Sequence, residues 1–153
     1  SLLAFRASLA IAPFNELALE YYPLLLIQGY QDEEAKEFLR SLQGNVPQET
    51  EERILYNTLR SIVGSGASDL AIEWIAEQVA DYPDRLFYYQ LQFHMYQALG
   101  WRPEAEGVLE AWERRTGERP PDMVQGLEDM RRGAQEREQQ RIDKALEGHD
   151  GGE

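Results

Sequence analysis

A three-part phrase occurs three times along the chain: a glycine, an acidic stretch, then an alanine that opens an apolar helical run. The copies are Gly29-Tyr-Gln-Asp-Glu-Glu-Ala35, Gly66-Ala-Ser-Asp-Leu-Ala71 and Gly100-Trp-Arg-Pro-Glu-Ala105. The glycines lie 37 and 34 residues apart, and Pro13, Pro47, Pro83 and Pro120 follow at spacings of 34, 36 and 37. Two punctuation marks in step near one length indicate stacked helix-turn-helix units, because a single pair cannot hide its apolar face alone. A chain built this way is more often a binding surface than a catalyst.

Composition narrows the function classes. At 153 residues the chain is one domain's worth. A net charge of −13 argues against nucleic acid, whose phosphates need clustered Lys and Arg. Cysteine is absent, which excludes disulfides and thiolate metal sites and leaves the compartment open, cytoplasmic and periplasmic being equally compatible. Two histidines, His94 and His149, are too few for most histidine-based metal sites. No apolar run approaches the roughly 18 residues of a membrane span, so no membrane insertion is expected.

Apolar spacing is helical almost throughout, and no stretch alternates like a strand. The expected helices cover about 2–12, 15–28, 32–43, a stretch opening at Gln48 or Thr50 and closing at Gly64, 68–82, 84–99, 103–116 and 121–146. Asn15, Asp32, Ser68 and Asp84 are the expected N-caps. Pro23 is expected to kink or break its helix. Residues 148–153 read as a flexible tail. The opening, Leu2 to Pro13, reads as the second helix of a repeat whose first helix is missing, which predicts a segment of a longer protein.

These residues carry a resemblance to the tetratricopeptide repeat family, across about residues 1–120. Ala71, Ile75, Val79 and Pro83 match the second-helix pattern, with Ala105, Leu109 and Trp112 in the next copy. Tyr89, Phe93 and Tyr96 before Leu99-Gly100 match the bulky first-helix sites, and Phe5, Ser8, Ala12 and Pro13 match a half repeat. The resemblance implies an all-α solenoid of antiparallel hairpins. Its parts would be a half repeat at 1–13, full repeats at 14–47, 48–83 and 84–120, and a capping, solvated helix at 121–147. Degenerate features remain: Pro23, the shifted Glu34-Ala35, and the missing small residue beside Leu59.

The resemblance also implies that ligands lie along the first helices of the repeats. Carried over by repeat position, the partner-binding groove is Arg53, Tyr56, Arg60, Phe87, Gln90, His94 and Gln97. Arg53, Tyr56 and Arg60 share one helix face, and two arginines there could pair with a partner's carboxylate. The blander alternative neutralises them with Glu49, Glu51, Glu52 or a neighbouring repeat. The aromatic run Phe87, Tyr88, Tyr89, Phe93, Tyr96 reads mainly as core, with Phe87 and Tyr88 as the members expected to face a ligand. His94 reads as a groove or packing residue. Paired carboxylates such as Glu33-Glu34, Glu51-Glu52 and Asp81/Asp84 read as helix starts or polar faces. Gly64-Ser-Gly66 lacks the Lys-Ser/Thr and the preceding strand of a phosphate loop.

The expectation is therefore a bacterial protein-interaction module that binds a protein or peptide segment, with self-association open. No catalytic residue, cofactor or metal is predicted. The alternative is a non-catalytic, substrate-recruiting accessory domain of a larger transferase- or sulfatase-type enzyme.

Overall fold

A computed structural model describes residues 16–29 and 31–150, with side chains described over 21–29 and 31–149. Among the described residues seven helices follow one another: α1 Glu16–Gln28, α2 Asp32–Ser41, α3 Gln48–Gly64, α4 Ser68–Asp81, α5 Leu86–Leu99, α6 Arg102–Thr116 and α7 Pro121–Asp150. No strand occurs among the described residues. The described part of the chain is thus all-helical, as the periodicity predicts. The expected helix at 2–12, the Asn15 cap and the half repeat lie outside the described residues.

Glycine punctuates the chain for a physical reason. Gly44, Gly66, Gly100 and Gly117 all have φ between 73 and 88°, the left-handed region that a side chain disfavours. Gly117 shows the use: its N–H donates to the Glu113 carbonyl at 2.7 Å and closes α6. Helix starts differ from expectation. α2 begins at Asp32 and α4 at Ser68, with Gln31 and Ala67 in the cap positions and no side-chain cap bond at either. Asp32 still stands in the acidic first turn of α2, where the helix dipole favours it. Asp84 lies in the turn before α5, not at its cap. Pro23 does not break α1, which runs on to Gln28 with the proline ring fully buried. α2 stops at Ser41, and α7 continues past Leu146 to Asp150.

The chain divides into two compact units, residues 1–91 and 92–153. In the first, α1 packs on α2 and α3, and α3 packs on α4. Leu26, Leu39, Ile54, Leu55, Ile62, Trp74 and Ile75 form its core, each buried aliphatic contributing roughly 1.5–3 kcal/mol. Ala71 has no exposed surface, as expected for a small residue where helices approach closely. In the second unit α6 packs on α7, and Phe93, Val108, Leu109, Trp112 and Met123 are buried. Trp74, Ile75, Tyr89, Phe93 and Leu109, all expected inside, are all inside.

Candidate interaction surface

α3 turns one face inward and the other to solvent. Ile54, Leu55, Thr58, Leu59 and Ile62 are buried, while Arg53, Tyr56, Asn57 and Arg60 are exposed. The split follows from the helical period, since the exposed set falls at i, i+3, i+4 and i+7. Tyr56 keeps 40% of its surface in solvent. Arg53 and Tyr56 also make contacts within the chain. Arg60 meets no carboxylate among the described residues. Phe87 and Gln90 are half-buried on the first unit's part of α5. In the second unit His94 and Gln97 are half-buried one turn apart, with His94 Nδ1 3.4 Å from Gln97 Oε1.

Two expectations fail around the start of α5, and one residue explains both. Tyr88, expected to face a ligand, is only 2% exposed. Glu51, expected on a polar face, is 4% exposed. Arg85 holds them. Its Nη1 donates to Glu51 Oε1 at 3.0 Å and to the Tyr88 hydroxyl at 3.0 Å. Its guanidinium lies 4.6 Å from the Tyr88 ring centre and 5.5 Å from that of Phe87, both within cation–π range. Nη2 stands 3.6 Å from Glu52 Oε1, close enough for ionic attraction and too long for a hydrogen bond. Burial alone would lower the Arg85 pKa. The hydrogen bond to Glu51 and the charges of Tyr88, Glu51 and Glu52 outweigh it and raise the value above the ordinary one. Glu51 and Glu52 are therefore partners of Arg85. The single sign in the sequence is the 34-residue spacing of Glu51 and Arg85, one repeat length; an arginine in a turn otherwise reads as solvated.

Shallow clefts flank this arginine. One of about 450 Å³ is lined by Gln48, Asp81, Tyr82, Pro83, Asp84 and Arg85. The other, about 380 Å³, is lined by Gln43, Gly44, Val46, Gln48, Glu51 and Arg85. Elsewhere in the unit, Lys36 is buried between helices. Its Nζ lies 3.6 Å from Glu33, 3.5 Å from Glu73 and 4.0 Å from Glu77, and Arg40 reaches Glu77 at 3.5 Å. These pairs tie α2 to α4. Among the described residues no group of His, Asp or Glu could hold a metal ion, and no helix is long and apolar enough to cross a membrane.

Compared with protein-family models, curated proteins and solved structures, the chain matches none.

Proposed function

We propose that the chain is a protein-interaction module of stacked helical hairpins, similar to tetratricopeptide repeats, and that the exposed face of α3 binds an acidic segment or carboxyl terminus of a partner protein. The carrying observation is a basic and aromatic stripe, Arg53-Tyr56-Arg60, left in solvent on a helix whose opposite face is fully used in packing. In a chain of net charge −13 such a stripe is a local reversal of sign, and complementary charge steers partners to it. The order of helix pairing in the first unit supports the hairpin reading. α1 meets α2 and then α3, and α3 meets α4, as first helices do when hairpins stack in sequence. Glu51 and Glu52, two of the acidic neighbours on α3, are engaged by Arg85, while Arg53 keeps an interaction of its own within the chain.

The test is an acidic-peptide array probed with the wild type and an Arg53→Ala, Arg60→Ala double variant. Both side chains are exposed, so the variant should fold. The double variant is expected to bind roughly tenfold more weakly, with the difference shrinking as salt rises. Equal capture by both proteins at low and at physiological salt would remove the basis for the reading.

A further inference from the structure

The turn between α5 and α6 holds a feature that the α3 face does not account for. Trp101 keeps 42% of its surface in solvent, whereas Trp74 and Trp112 are 2% and 6% exposed. It is not a loose side chain on a loose loop. Its N–H donates to the Tyr96 carbonyl at 2.9 Å, and its own carbonyl accepts from Ala105 N–H at 3.1 Å. Gly100, with φ 73°, makes the turn that permits both bonds. The indole stacks on Tyr96, with ring centres 6.1 Å apart and planes 23° from parallel. The two rings are thus held near-parallel and offset, side by side at the turn.

A charge sits beside this platform. Trp101 is the cap residue of α6, and Glu104 follows it three residues on in the first turn, the position whose side chain can reach back towards the cap. Burial, and then the charge of Glu104, raise the Tyr96 phenol above its ordinary pKa, so the carboxylate is felt at the ring pair. The neighbouring cation is engaged elsewhere: Arg102 Nε donates to Glu106 at 3.0 Å. Among the described residues Glu104 has no basic partner.

We infer that Trp101, Tyr96 and Glu104 form a docking site for an arginine side chain of a partner protein. A guanidinium stacks flat on indole and offers two parallel N–H groups to a carboxylate at its edge. An ammonium would gain the charge attraction without the stacking or the fork. An anion would meet Glu104 and the acidic surface of a chain at −13. The N-terminal end of the α6 dipole opposes a cation, which makes the aromatic face the necessary element of the site. This site is independent of the α3 stripe in both residues and ligand charge.

Trp101 also supplies the readout, as the exposed one of the three tryptophans. The probes are hexa-arginine and hexa-lysine peptides, titrated into the whole chain and followed by tryptophan fluorescence and calorimetry. Saturable quenching by hexa-arginine is expected, with hexa-lysine about tenfold weaker. Trp101→Leu should abolish the preference for arginine, and Glu104→Gln should weaken arginine binding several-fold, both with unchanged helicity. The inference is overturned if the two peptides bind equally, or if Trp101→Leu and Glu104→Gln bind hexa-arginine as the wild type does. Either result would mean diffuse attraction to an acidic surface.

Discussion

Between α2 and α4 a charge is buried: Lys36, its side chain 8% exposed, reaches Glu33, Glu73 and Glu77, whose own side chains stay in solvent. Between α5 and α7 the buried group is a ring: Phe93 lies so close to Gly126 that a methyl group there would stand 2.6 Å from the ring edge. The first unit repeats its solution at Arg85, whose partners Glu51 and Tyr88 are both buried. The second unit presents no comparable buried ion pair among the described residues. The contrast bears on specificity and on strength. A buried ion pair adds little net stability, yet removing one partner is severe, because the other charge stays desolvated. Apolar packing contributes in proportion to area and fails in proportion to the hole left behind.

Five changes would break or sharpen this contrast. Phe93→Ala should have the largest effect, a loss of about 4 kcal/mol in denaturant unfolding. Gly126→Ala adds a methyl group at the same contact and should destabilise as well, despite alanine's better helix propensity. If Gly126→Ala were stabilising, the ring would be free to move and the tight-packing description of the second unit would be wrong. Glu51→Ala should come next, at roughly 3 kcal/mol, below a fully buried pair because Arg85 keeps a fifth of its side chain exposed and retains Glu52. A loss under half that size would show that Arg85 re-pairs easily.

Alkali should act on both units through one physical cause. Burial, the largest cause for each, raises the Tyr88 and Tyr96 phenols above their ordinary value of 10.0. Unfolded phenols ionise near that pH while the folded ones hold their protons. Stability is therefore full below about pH 10 and falls as pH rises through the folded values. Unfolding curves between pH 9 and 11 should show the loss, and Tyr88→Phe should flatten the first unit's share. An unchanged alkaline slope in that variant would remove Tyr88 from the explanation. Thr58→Val should have the smallest effect and the opposite sign. The Thr58 hydroxyl is buried and has no hydrogen-bond partner among the described residues, so the isosteric methyl should be neutral or stabilising by about 1 kcal/mol. A clear loss would reveal a partner for the hydroxyl.

What the sequence disclosed follows from locality. Helix succession, glycine-made ends and the buried faces of α3 and α4 depend on residues within a turn or two, and the 3.6-residue period exposes them. The solvent-facing stripe of Arg53, Tyr56 and Arg60 was legible for the same reason. Tyr88 departs from its local pattern because its fate is decided by Arg85 and by Glu51, the latter 34 residues from Arg85. Asp32 and Ser68 are not caps, because their helices start one residue earlier than the capping pattern predicts. Gly126 gave no signal, since an in-helix glycine looks like a propensity defect until Phe93 is seen against it.

The length of α7 has a consequence for measurement. Its early part carries Met123 and Gly126 in the packed interior, but from Arg131 to His149 nearly every side chain is exposed. That distal part is supported by pairs within its own helix, such as Glu128–Arg131 at 2.9 Å and Glu138–Arg141 at 2.7 Å, which are weak individually. Amide protons there should exchange orders of magnitude faster than those around Met123, because opening the distal turns exposes no apolar surface. The same segment adds helix–coil enthalpy but almost no heat-capacity change on unfolding. Ellipticity would then decline before the packed units melt, and the calorimetric enthalpy of the whole chain would exceed the van't Hoff value even if each unit unfolded in a single step.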